Sequence, residues 1–178
     1  CATFPLLWVG GLVTTTDAGM AVPDWPSTYG YNLLLYPWST WLAAPWDLFI
    51  EHGHRLLGAT VGMMTIVLLV LLWTKDNRPW TRWLGLAALV LVIFQGVLGG
   101  MRVLLQERTL AMLHGCTGPL FLAVTVAIVV LTSARWRDGA SKVTVSHVPS
   151  SSSAAAIRRL AAATCILVYL QIVIGAVL

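Results

Sequence analysis

Charge is what this sequence has least of. Asp, Glu, Lys and Arg make up 10% of its 178 residues, against about 25% in an ordinary soluble domain, and its mean hydropathy is +0.81. That shortage excludes a water-soluble globular domain. Cysteine is scarce as well. Cys1, Cys116 and Cys165 are the only three, and all fall within apolar runs rather than in the polar loops where a secreted pair would form, so no disulfide is expected. Acidic residues number 7 against 11 basic ones, giving a net charge of +4. The cations do not form a patch suited to nucleic acid. Lys75, Arg78 and Arg82 lie in one interval between apolar runs, and Arg135, Arg137, Lys142, Arg158 and Arg159 in another. Asp17, Asp24, Asp47, Glu51 and Glu107 occupy the alternate intervals.

What remains is long apolar stretches. Leu56–Trp73, Leu84–Met101 and Met112–Thr132 carry no charged residue, nor do Leu160–Leu178 at the end and the shorter Cys1–Val13 at the start. A bilayer core asks for roughly 20 residues of helix. The chain therefore reads as an all-α, polytopic transmembrane bundle with five spanning segments. The absence of an initiator Met and of polar flanks suggests a first helix short of its N-terminal turns and a fifth cut short. By the positive-inside rule, the 74–83 and 133–159 loops are cytoplasmic, and 17–53 and 102–111 face outward, as in a bacterial-type inner membrane.

The outward 17–53 loop is rich in aromatics and proline, including Trp25, Trp38, Trp41, Tyr29, Tyr36, Pro23 and Pro26. Such rings favour the headgroup zone, either as an interfacial belt alone or as a partly ordered cap on the membrane surface. Residues 133–157 are Ser- and Ala-rich and read as a flexible linker, with His147 a solvated histidine. This divides the chain into a four-helix half (1–132), the linker (133–157) and the first helix of a second half (158–178).

A repeat runs through the helices. WVGGLV (8–13), FQGVLGGMRV (94–103) and YLQIVIGAVL (169–178) resemble one another, and His54-x-x-x-Gly58 is echoed by His114-x-x-x-Gly118. Small residues let membrane helices approach closely whatever the function, so the glycines alone say little. The histidines say more, because ionisable residues within spans are costly and point to function. Helices 2 and 4 run in the same direction, so His54 and His114 enter at matched depth. A glycine one turn below each leaves a flat strip on the same face. Two opposed imidazoles above such strips suit the axial positions of a porphyrin iron; a hydrogen-bonded structural role for each is the alternative. Zinc would need further ligands. Cys116 lies about 200° round the helix from His114, and His52, a secondary candidate, is expected to face the loop or solvent. Glu51 and Arg55 share the His54 face. Glu51 could exchange a proton near a bound group, and Arg55 could pair with Glu51 or with a porphyrin propionate.

Glu51-x-x-His54-Arg55, GGLVTTTDAGMAVPDWP (10–26), LGGMRVL (98–104) and HGCTGPLFLA (114–123) together resemble the heme A synthase family, whose members oxidise heme O to heme A for terminal oxidases. The resemblance spans nearly all of the chain outside 133–157. It implies an eight-helix protein of two related halves, of which this chain holds the N-terminal half and the first helix of the other. It further implies His54 and His114 as axial ligands of substrate heme O, Glu51 as the carboxylate implicated in oxidation, and a heme b in the other half. Arg55, Gly58 and Gly118 would pack the porphyrin or bind its propionates. Heme O synthase, an electron partner, the bilayer and a second copy of the chain are the expected partners, with no nucleic acid. The cysteine pair found in the outer loop of some members is lacking here. The rival reading is a bis-histidine heme b electron-transfer cytochrome.

Overall fold

The computed structural model describes residues 2–134, 136 and 151–177, which divide into two compact units, Cys1–Ile128 and Val129–Leu178. Among the described residues the regular elements are helices: α1 (Thr3–Thr15), a 3-10 turn (Leu33–Leu35), α2 (Trp38–Leu42), α3 (Trp46–Lys75), α4 (Pro79–Leu105), α5 (Arg108–Thr132) and α6 (Ser151–Val177). Four stretches among the described residues are long and apolar enough to cross a membrane: Trp46–Lys75, Pro79–Leu105, Arg108–Thr132 and Ser153–Ala176. The fifth expected span, α1, is apolar but has 13 residues, a rise of only about 20 Å. The chain is thus a polytopic helical membrane protein.

Several boundaries differ from the sequence reading, and for one reason. Hydropathy marks where a helix crosses the hydrocarbon, not where it ends. Helix α3 begins at Trp46 and carries Glu51, His54 and Arg55 on helical backbone. The predicted 102–111 loop shrinks to Gln106, in the left-handed region at φ 54, and Glu107. Helix α6 starts at Ser151, within the predicted linker, because the Ala154–Ala156 run is strongly helix-forming. His147 and most of the linker lie outside the described residues, as does Cys1; Cys116 and Cys165 are free.

Apolar matching cannot drive helices together in lipid, so close approach and hydrogen bonds must. Helix α3 is the hub, packed against α1 and α4. A Cβ on Gly85 would stand 2.8 Å from Leu72 Cδ1, so the α3–α4 hairpin closes because α4 is small there. Helix α5 is joined through a Thr3–Thr125 hydroxyl pair at 3.4 Å, a Gln95 side chain donating to Thr117 Oγ1, and Leu7 against Gly118. Val61, Leu72, Ala88, Phe121 and Ile128 form the buried core. Met63, Val67, Val90, Ile93 and Phe94 are exposed on the outward helix faces, as lipid contact requires. Exposed tryptophans mark both ends, Trp38 and Trp46 at one and Trp73, Trp80 and Trp83 at the other, in the pattern of interfacial belts. At the second end the turn is fixed by Asp76, which accepts from the Arg78 backbone N–H at 3.0 Å and from its Nη2 at 2.7 Å. That hydrogen bonding holds the Asp76 carboxyl down at about 2, and Pro79 then starts α4, where its missing N–H costs nothing.

In the second unit, α6 exposes Leu160, Ile166, Leu167 and Ile174.

Candidate functional site: paired histidines beneath a pinned cap

Residues 16–45 fold into a cap rather than a loose belt. Asp24 organises it by accepting the N–H groups of Tyr29 and Gly30 at 2.8 Å each and the Ser27 hydroxyl. This satisfies a turn in which Tyr29 and Gly30 take positive φ, 49° and 79°. Burial pushes the Asp24 carboxyl up, but these donors together outweigh it and hold the group below its ordinary value. The Asn32 side chain caps the 3-10 turn through the Leu34 N–H at 2.9 Å, and Trp41 Nε1 donates to the Phe49 carbonyl at 3.0 Å.

Beyond the Trp41 indole, the main fastenings of the cap to α3 and α4 are four side chains. Glu51, 2% exposed, accepts the Val22 N–H on Oε2 at 2.9 Å and Arg55 Nη2 on Oε1 at 2.8 Å. Arg55 also donates to the carbonyls of Val22 at 2.8 Å, Asp24 at 2.6 Å and Ser27 at 3.0 Å. Of the two partners expected for Arg55, Glu51 is the one the structure supplies, and both terminal nitrogens are engaged by the cap. His52 does face the loop, as expected, but it is not solvated. It is 1% exposed, shares a 3.0 Å hydrogen bond between Nδ1 and Thr28 Oγ1, and packs against Tyr36 and Trp41. The burial follows from α3 starting early, which brings His52 beneath the cap. The fourth fastening is Trp25, whose indole lies on Gly100 so closely that a Cβ there would overlap it. Gly100→Ala should therefore lower thermal stability by about 1–3 kcal/mol through overpacking. Gly11→Ala is the control: Gly11 is the repeat-equivalent residue, and a Cβ there meets nothing within 4 Å. Equal effects of the two substitutions on the unfolding midpoint would refute this account of the seat.

Below the cap, His54 from α3 and His114 from α5 come together. Their ring centroids are 6.4 Å apart and their planes cross at 86°. Each ring occupies the same setting in its hairpin. His54 lies against Gly10 of α1, where a Cβ would come within 2.9 Å of its Cε1, and His114 lies against Gly99 of α4, where the figure is 3.1 Å. His54 lies near the backbone carbonyl of Leu6 and His114 near that of Gln95, one helical turn before Gly10 and Gly99 respectively. The repeat legible in the sequence is thus a repeat of cradles. In each, a glycine admits the ring and a backbone carbonyl lies a turn away. The glycines in contact with the rings are these, on the preceding helices. Gly58 has open space where a Cβ would be, whereas a Cβ on Gly118 would meet Leu7 Cδ2 at 3.0 Å. Gly118 therefore serves the α1–α5 contact.

Nδ1 of His54 and Nδ1 of His114 are buried and have no hydrogen-bond partner. A buried polar nitrogen left without a partner costs about 1–3 kcal/mol, and a histidine ring held beside a backbone carbonyl is a usual setting of a metal-ligating imidazole. Two imidazoles sharing one metal at about 2.0–2.1 Å each hold their ring centres roughly 6 Å apart, close to the spacing seen. No group of three or more His, Cys, Asp or Glu that could hold a metal ion occurs among the described residues. The donor set therefore fits a metal that brings its own equatorial ligands, as porphyrin iron does, better than zinc.

One turn towards the cap from this pair lies a cavity of about 380 Å³, lined among others by Val13, Gly19, Arg102, Gln106, Arg108 and Ala111. Arg102 was not singled out in the sequence. An arginine directly after the uncharged Leu84–Met101 run, and so at the end of a spanning helix, was the signal that could have found it.

A family model described as COX15-CtaA, cytochrome oxidase assembly protein, matches residues 1–178. The chain is 33% identical over 132 residues to a heme A synthase of Shouchella clausii, a match covering 72% of this chain and 40% of that protein. It is 32% identical over 137 residues to a heme A synthase of Alkalihalophilus pseudofirmus, covering 75% and 43%. A heme A synthase of Halalkalibacterium halodurans is 30% identical over 137 residues, again covering 75% and 43%. The chain thus spans less than half the length of these relatives. No solved structure matches it significantly.

Proposed function

The chain belongs to the COX15-CtaA family of cytochrome oxidase assembly proteins, and from that premise we propose that it forms the substrate-heme half of a heme A synthase. The reaction is oxidation of the porphyrin methyl of heme O to the formyl of heme A, for assembly of terminal oxidases. The observation that carries this reading is the pair of equivalent cradles, which bring two buried imidazoles, each with an unpartnered nitrogen among the described residues, to a centroid distance of 6.4 Å. His54 and His114 hold the iron of heme O. When bound, the iron porphyrin supplies both the reacting methyl and a redox-active centre.

The chain's own residues do the rest. The Gly10 and Gly99 cradles fix the ring orientations, and the cap covers the site on the outward side of the membrane. Glu51, one turn from His54 on α3, is the buried carboxylate placed to accept a proton once it lets go of the Val22 N–H or of Arg55. A heme b held by the other half would supply a route for electrons to an external partner, and heme O synthase would supply the substrate.

A second reading has its own support. Both oxygens of Glu51 are satisfied by the cap, as suits a purely structural carboxylate in a bis-histidine electron-transfer cytochrome. Glu51→Gln in the full-length protein separates the two. The enzyme reading expects heme to remain bound, the cap to stay resistant to protease, and heme A formation to stop, as read by pyridine hemochrome analysis. Unchanged heme A output would remove Glu51 from the chemistry, and heme b alone in the wild-type protein would favour the cytochrome.

A further inference from the structure

We propose that Arg102 is the anchor for the carboxylate tails of the porphyrin, in the cavity between the histidine pair and the cap; this rests on the heme-binding reading above. The position comes first. Val13, Arg102 and Ala111 on the cavity wall are each one helical turn from Gly10, Gly99 and His114, so the cavity begins where the two cradles end.

The second point is which guanidinium has donors to give. Both terminal nitrogens of Arg55 are taken up by Glu51 and by three cap carbonyls. Arg102 is half-buried, and its one hydrogen bond among the described residues is a 3.4 Å contact from Nη2 to the Gly19 carbonyl. A guanidinium carries five N–H donors in a fork matched to carboxylate, and such a group in an apolar helix, so nearly unpartnered, is costly to maintain. Asp17 and Glu107 also line the cavity. Both are exposed, and neither forms an ion pair with Arg102 among the described residues. Solvent screens them from an incoming anion far more than it screens Arg102. Gln106 and Arg108, exposed on the same wall, extend the polar lining towards the cap.

The test compares iron protoporphyrin IX with its dimethyl ester, which keeps the iron and the ring but has no carboxylate charge. Each is titrated into the purified full-length protein by Soret absorbance, with His54→Ala as the blank that isolates the paired-histidine site. The wild type should bind the diacid roughly tenfold to 100-fold more tightly than the ester, the range expected for charge-assisted hydrogen bonds. Arg102→Gln should erase most of that ratio with little effect on ester binding, and Arg102→Lys, which keeps charge without the fork, should fall between. A wild-type ratio retained in Arg102→Gln overturns the anchor and leaves the heme site standing. That is also the outcome if the cavity instead serves a lipid headgroup. Titrations unchanged by His54→Ala overturn the heme site and the anchor together.

Discussion

On the heme-binding reading proposed above, replacing either His54 or His114 by Ala in the full-length protein should remove the six-coordinate heme spectrum and weaken heme binding by more than about 100-fold. The estimate is a lower bound drawn from residues that merely orient metal ligands, whose loss already costs 10–100-fold. The two losses should be alike. Each ring has the same close glycine neighbour at Gly10 or Gly99 and a backbone carbonyl nearby, a turn before that glycine, so nothing in the cradles ranks one histidine above the other. Absorbance and electron paramagnetic resonance read the change directly, since an iron that loses one imidazole gains an open axial position. If both variants keep the wild-type spectrum, the two histidines do not share a metal, and their orphaned nitrogens need another explanation.

Arg55 is the residue whose loss should most damage the fold itself. Arg55→Met removes the donors to the Val22, Asp24 and Ser27 carbonyls and leaves Glu51, 2% exposed, with an uncompensated charge. Breaking one side of a buried pair costs about 3–5 kcal/mol, whereas removing both sides costs far less. The double variant Arg55→Met/Glu51→Gln should therefore be more stable than the single one. Thermal unfolding gives the ordering, and limited proteolysis of 16–45 shows whether the cap has come away. A double variant no more stable than the single would mean that the three carbonyl contacts, not the buried charge, dominate the role of Arg55.

The helices and the histidine pair were legible in the sequence because each rests on a pattern that lipid enforces. Uncharged runs of spanning length leave few alternatives, and His54 and His114 recur at the same offset from a small residue. The cradles were only half legible. Gly10 and Gly99 stand out as repeat elements, but which helix a glycine accommodates is a tertiary fact, and the nearer candidates Gly58 and Gly118 shared a helix with the histidines. A partly ordered cap was one of two readings of the outer loop, but the contacts that order it were not legible. Its hydrogen bonds join Asp24 to Gly30, Arg55 to Asp24 and Glu51 to Val22, pairings that no local periodicity encodes. His52 shows the same limit, since its burial depends on Thr28, Tyr36 and Trp41 arriving from the cap.

The two cradles are alike, yet their surroundings are not. Where α3 has Glu51 and Arg55 flanking His54, the equivalent places on α5 are Ala111 and Gly115. A clamp with identical jaws would grip a lopsided disc either way up, and half of the bound molecules would present the wrong edge. Here one jaw is charged and roofed and the other is small and bare. If the pair holds a heme as proposed, the departure from symmetry, rather than the symmetry, would let the site tell top from bottom.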